Sequence, residues 1–261
     1  MSAERWQILT GDCLEILPTI PAGSIDAVII DPPYASGART AADMPGRGGM
    51  SRSELWKKSP IPNDTMTTVG FVWFIRAIAS QCTRALKRHG SLLCFIDWRQ
   101  YPQLCGALES VNLRIQNVVV WDKQNMALGN GFRNQHELII HCAKGTPVIY
   151  NKGTPNVIGI DRVPSSDIHP TQKPVPLISK LLAVVSKPGD LILDPLAGSG
   201  STGVAAIQDG RRFIGIELDP TYAETARRRC REAAAQPPLF TEAPAPIPAA
   251  EQPDLFAMAA D

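Results

Sequence analysis

Short runs of apolar residues alternate along the chain with stretches whose apolar positions recur every three or four residues. That rhythm predicts a mostly parallel sheet with helices on both faces, since strands covered on both sides are apolar throughout and their covering helices carry a single apolar stripe. Residues 24–30 read as a buried strand ending at Asp31-Pro32. Between Phe71 and Arg88, apolar residues at 71, 75, 78, 82 and 86 trace one helix face, which Gly90 closes before a strand over 91–96. Further strands are expected at 116–121, 137–142, 191–194 and 212–217, and helices at 175–186, 202–209 and 220–234.

Two stretches interrupt the rhythm: residues 35–66, rich in Gly, Pro, Ser and Met, and residues 122–168, dense in Asn, Gly, Lys and Arg. Loops this long within a compact domain are usually functional or disordered. Beyond Ala235 the chain turns Pro- and Ala-rich, so a single folded domain over 1–234 and a disordered tail over 235–261 are expected.

Charge changes this picture slightly. The net of +1 hides an asymmetry: the last 26 residues hold four acidic side chains and no Lys or Arg, leaving 26 basic against 21 acidic residues in the rest. A mildly basic body permits a polyanionic partner without proving one. The longest apolar runs fall far short of the roughly 18 residues of a membrane span. The six cysteines form no C-x-x-C pair, so neither zinc nor disulfides are implied, and a cytoplasmic protein is expected.

The chemistry begins at the turn after residue 194. Asp194-Pro195-Leu196-Ala197-Gly198-Ser199-Gly200-Ser201-Thr202-Gly203 joins a strand to a helix, and one unit later a strand ends on Glu217. Glycines let the backbone approach a ligand, the helix N-terminus offers N–H groups, and a carboxylate at Glu217 can accept both hydroxyls of a ribose. Gly198, Gly200 and Gly203 also satisfy G-x-G-x-x-G, so this turn alone does not separate a nicotinamide cofactor from S-adenosylmethionine.

Asp31-Pro32-Pro33-Tyr34 stands at the carboxyl end of the first predicted buried strand, where α/β enzymes bind ligands. Two prolines stiffen the backbone and remove two donors, leaving an acceptor-only pocket. An aromatic amine is a poor nucleophile because its lone pair is delocalised. A carboxylate and a carbonyl accepting its N–H groups would pull the nitrogen toward tetrahedral geometry, and Tyr34 can stack on the base, worth roughly 1–3 kcal/mol.

With these blocks in order, the chain from Ile8 to about Ala234 resembles the β-class amino-methyltransferases of DNA, in which the D-P-P-Y block precedes the glycine loop. Gly11-Asp12-Cys13 followed by Ser24-Ile25-Asp26-Ala27-Val28 looks like the family's opening, whose first aspartate bonds the cofactor's adenine. Trp121-Asp122-Lys123 and Phe132-Arg133-Asn134-Gln135-His136-Glu137 are similar to the segment before and within its base-binding region. His169-Pro170-Thr171-Gln172-Lys173-Pro174 looks like the block near the cofactor's methionine end. Ser201 stands where the family more often has threonine, and either hydroxyl can cap a helix.

The resemblance implies a Rossmann-like S-adenosylmethionine-dependent methyltransferase fold and transfer of a methyl group to the exocyclic amine of a base flipped from double-stranded DNA. Asp31, Pro32, Pro33 and Tyr34 would be catalytic. Asp12, Asp31, Thr171, Lys173, Asp194, Pro195, Ala197, Gly198, Ser199, Gly200 and Glu217 would hold S-adenosyl-L-methionine. Arg39, Arg47, Arg52, Lys57, Lys123 and Arg133 would grip DNA, and no metal is implied. Asp at the first position favours adenine N6, whereas relatives with Ser there tend to act on cytosine N4. His136, His141 and His169 read as structural, because direct transfer from an activated methyl donor needs no obligatory base.

The open alternatives are cytosine N4 methylation, a catalytically silent DNA-binding relative and, remotely, a Rossmann oxidoreductase. A homodimer is also open. The resemblance places the protein in a bacterium or phage, at the nucleoid. Gln236-Pro237-Pro238-Leu239-Phe240 and Gln252-Pro253-Asp254-Leu255-Phe256 repeat Q-P-x-L-F, which resembles peptides that dock on the bacterial sliding clamp.

Overall fold

The computed structural model describes residues 5–34, 66–127, 131–163 and 172–236. Among them the strands are β1 Trp6–Thr10, β2 Ile25–Ile30, β3 Leu86–Ile96, β4 Arg114–Asp122, β5 His136–Ala143, β6 Val157–Gly159, β7 Leu191–Asp194 and β8 Arg212–Glu217. The helices are α1 Cys13–Ile16, α2 Thr68–Ala85, α3 Tyr101–Glu109, α4 Val175–Val185, α5 Ser201–Gln208 and α6 Pro220–Ala235. Thr171, His169, Arg39, Arg47, Arg52, Lys57 and all of the two Q-P-x-L-F segments except Gln236 lie outside the described residues.

One sheet runs in the order β1-β8-β7-β2-β3-β5-β4-β6. Five of its pairings are parallel, and β5 alone runs antiparallel to both neighbours, β3 and β4. The expected mostly parallel sheet is therefore present. From β7 the chain proceeds to β8 on one side, and from β2 to β3 on the other, so strand order reverses between β7 and β2. In open α/β sheets that crevice is where ligands bind.

β2 and β7 are apolar nearly throughout because both faces are covered. Residues of α1, α2 and α3 pack on one face of the sheet, and those of α4, α5 and α6 on the other. Thr67 caps α2, its hydroxyl accepting the Gly70 N–H at 3.1 Å, and Phe71, Ile75, Ile78, Cys82 and Ala85 form the buried stripe. Each such fully buried large side chain contributes about 1.5–3 kcal/mol. Asp219 caps α6 with Pro220 in its first turn, and the buried positions there are small, Ala223, Ala226, Cys230 and Ala233. That lets α6 lie close to the glycine turn.

Two features depart from the expected elements. α2 ends at Ala85, not near residue 88, and β3 starts at Leu86. The positive φ falls on His89 (72°), while Gly90 is required because a Cβ there would lie 2.9 Å from the Asp26 carbonyl oxygen of β2. β1, β6, α1 and α3 have no counterpart among the expected elements. Within the stretch 122–168 the strand expected at 137–142 is present as β5, which buries Ile139, Ile140 and Cys142.

Candidate active site

The carboxyl ends of the parallel strands share one edge of the sheet with the hairpin between β4 and β5. After β7 the turn needs glycine twice, at Gly198 (φ 52°) and Gly200 (φ 82°), both in the left-handed region. Gly203 serves packing instead, for a Cβ there would meet Cys230 Sγ and the Phe213 ring at 2.6 Å. Arg229 of α6 braces the turn, its Nη1 donating to the Ser199 carbonyl at 2.6 Å and to Ser199 Oγ at 3.1 Å. Ala197 N–H donates to the Ile216 carbonyl at 2.8 Å, fixing the Pro195–Ala197 bend against β8.

Glu217, at the end of β8, accepts the Gly198 N–H on Oε2 at 2.7 Å and the Asp219 N–H on Oε1 at 2.9 Å. Burial nevertheless raises its pKa, outweighing these N–H groups. Next to it, the Gly11 N–H donates to the Glu217 carbonyl at 2.9 Å, and Asp12 caps α1 by accepting the Leu14 N–H at 2.8 Å. Asp194 is 3% exposed, and burial pushes its carboxyl up to about 7 against the hydrogen bonds from Thr202 and the Leu196 N–H. Three neighbouring strand ends thus bring Asp12, Glu217 and the Gly198–Gly200 turn together, a donor and acceptor set that fits an adenosine-type ligand.

Across the crevice, β2 delivers Asp31-Pro32-Pro33-Tyr34, with Pro32 buried. Lys173 Nζ lies 2.6 Å from Asp31 Oδ2 and 3.4 Å from Glu137 Oε2. The Tyr34 hydroxyl lies 2.9 Å from Asp31 Oδ1 and 3.0 Å from Glu137 Oε2. Lys123 Nζ is 2.5 Å from Glu137 Oε1. The Lys173 ammonium also sits 5.3 Å from the Tyr34 ring centroid and 5.2 Å from that of Phe95.

Burial disfavours the Lys173 ammonium, but Asp31 and Glu137 more than offset it and hold its pKa above the ordinary lysine value. Burial likewise opposes the Glu137 charge, yet Lys173 and Lys123 keep its pKa below that of a free carboxylate. The Tyr34 hydroxyl, buried between two acids, stays protonated well above its usual range. The result is a neutral cluster of two acids and two ammonium groups, closed by one phenol.

Most sequence-predicted site residues therefore lie on the two sides of this crevice. Lys173, assigned to the cofactor, contacts Asp31 directly. Lys123, assigned to DNA, turns its ammonium to Glu137, because a half-buried acid on the adjacent strand attracts it more strongly than solvent does. Arg133 donates Nε to the Ala127 carbonyl at 2.7 Å and so ties the hairpin while remaining exposed. His141 is buried with Nε2 3.0 Å from Ser91 Oγ, and burial presses its pKa down to about 4. Glu137 and Phe95 were not among the expected site residues. The His136-Glu137 pair, in the segment similar to the family's base-binding region, was the available signal for Glu137.

The family model described as DNA methylase, of the N6/N4 methyltransferase type, matches residues 25–228. The chain belongs to this DNA methylase family. It is 31% identical to the type II methyltransferase M.HinfI of Haemophilus influenzae over 252 residues, covering 86% of this chain and 68% of that protein. The fold is shared with M1.HpyAVI in complex with SAM, at a TM-score of 0.61, 22% identity and coverage of 86% and 99%. It is also shared with PvuII DNA methyltransferase, described as cytosine-N4-specific, at a TM-score of 0.69, 17% identity and coverage of 87% of each chain. No helix among the described residues is long and apolar enough to cross a membrane.

Proposed function

We propose that this methylase uses S-adenosylmethionine to modify N6 of an adenine flipped out of duplex DNA. One observation carries the reading: β2 and β7 pair directly, Ala27 with Ile192 and Val28 with Leu193, so Asp31-Tyr34 and the Gly198–Gly200 turn share one crevice. When bound, the cofactor supplies an already activated methyl group. Glu217 holds the ribose, Asp12 the adenine, and the glycine turn admits the backbone beside them. Asp31 and the Pro32 carbonyl accept the two N–H groups of the target amine, localising its lone pair and orienting it. Flipping the base costs a few kcal/mol, offset by stacking on Tyr34 and by contacts to the base edge.

Adenine is favoured over cytosine by a carboxylate, Asp31, at the head of the D-P-P-Y block. The grip on the duplex is assigned to the basic stretch 35–66 and to the hairpin bearing Arg133, and the tail's Q-P-x-L-F copies are offered as a sliding-clamp tether. The deciding experiment transfers a labelled methyl group to mixed-sequence duplex DNA and resolves the nucleosides after digestion. N6-methyldeoxyadenosine is expected, N4-methyldeoxycytidine would move the assignment to cytosine, and no incorporation would reject it.

A further inference from the structure

Asp31 has a problem as an acceptor for an aromatic amine. Its carboxylate already holds the Lys173 ammonium at 2.6 Å and the Tyr34 hydroxyl at 2.9 Å. Those partners draw off the negative charge that the amine needs. Releasing the ammonium outright would strand a cation whose side chain is only 8% exposed, and unpaired buried charge is strongly disfavoured.

Glu137 resolves the conflict. The same ammonium is 3.4 Å from Glu137 Oε2, so a movement on the order of 1 Å would exchange the long contact for the short one without leaving the charge unpaired. The two acids differ in access, the Asp31 side chain being 27% exposed and Glu137 14%. A ligand in the crevice therefore meets Asp31 first. Glu137 stands on β5, paired with Trp121 of β4 and one residue beyond the last β3 pairing, Ile96 with Leu138, while Lys123 balances it from the other side at 2.5 Å.

We propose that Glu137 is a positioning residue for methyl transfer: it takes Lys173 from Asp31 as the target amine docks, freeing Asp31 Oδ2 to accept an amine N–H. The inference rests on the assignment of Asp31 to the amine in the function proposed above. Glu137 itself touches neither the base nor the cofactor; it acts through Lys173.

The test is a double-variant cycle on the full chain, read in single turnovers with S-adenosylmethionine and duplex DNA. Glu137→Gln should slow methyl transfer about tenfold or more while the cofactor KM stays within about threefold, because the loss falls on the step after binding. Lys173→Met with Glu137→Gln should be no slower than the slower single variant, since removing the ammonium removes what Glu137 acts upon. If Glu137→Gln fails to melt cooperatively, Glu137→Asp, which shortens the acid and keeps its charge, takes its place under the same two criteria. A rate unchanged by the Glu137 variant, or losses that multiply in the double variant, would overturn the handoff while leaving the amine assignment standing. A wild-type protein that transfers no methyl group overturns both.

Discussion

The backbone N–H of Gly198 donates to Glu217 Oε2 at 2.7 Å, so the turn after β7 and the carboxylate that ends β8 are one unit. Glu217→Ala would release this amide and that of Asp219 and would delete the acceptor assigned to the ribose. A loss on the order of 1.5–3 kcal/mol in S-adenosylmethionine binding, about tenfold or more in affinity, is expected by calorimetric titration. Unchanged affinity with a lowered melting temperature would reduce Glu217 to a brace for the turn.

Gly203 is expected to matter for packing and not for the ligand. In Gly203→Ala the new methyl group would press on Cys230 Sγ and the Phe213 ring, both 2.6 Å away. Overpacking of this kind costs about 1–3 kcal/mol, visible as a lower denaturant midpoint. Cofactor affinity per folded molecule should change little; a large loss of affinity in a fully folded variant would place Gly203 in the binding surface.

The sequence was most legible where a motif coincides with an element boundary. β2 and β7 are short apolar runs that stop at Asp31-Pro32 and Asp194-Pro195, and proline chemistry makes those ends readable. Glu217 was legible for the same reason. The junction of α2 and β3 was not, because Leu86-Lys87-Arg88 continues the helical stripe on paper and Gly90 imitates a helix stop. Its actual constraint is the close approach of Asp26 on β2, which only the folded chain creates. The acid cluster was illegible for a related reason: Lys173 lies 142 residues from Asp31, and Glu137 103 from Tyr34. No local spacing encodes such contacts. The Glu137 contact follows from the antiparallel insertion of β5 beside β3, and the Lys173 contact from the segment that leads into α4.

Asp194 gives a pH prediction. Its ordinary carboxyl value of 3.8 rises to about 7 in the fold, chiefly through burial. Between those values the folded state binds the proton more tightly than the unfolded chain, so this group's contribution falls as pH rises through the window. Asp194→Asn removes the titration. Relative to the variant, wild type should lose stability between about pH 4 and pH 7, by up to a few kcal/mol, and hold a constant difference above that. Urea denaturation of both proteins across this range measures it. A difference independent of pH would mean that Asp194 ionises in the fold as it does in water.

Tyr34 joins two functions in one side chain, and two substitutions separate them. Its hydroxyl bridges Asp31 and Glu137, while its ring is assigned to stack on the flipped base. Tyr34→Phe keeps the ring and deletes the bridge. Lys173 still pairs both acids, so methyl transfer should slow only a few-fold and affinity for target DNA should hold within about twofold. Tyr34→Ala also removes the stacking surface, worth roughly 1–3 kcal/mol per base. Target DNA should then bind about fivefold more weakly or worse, with a smaller fluorescence rise from 2-aminopurine at the target position. The comparison decides because the hydroxyl is lost in both variants. If Phe is as defective as Ala, the ring contributes nothing to holding the base, and the phenol's worth lies entirely in orienting Asp31.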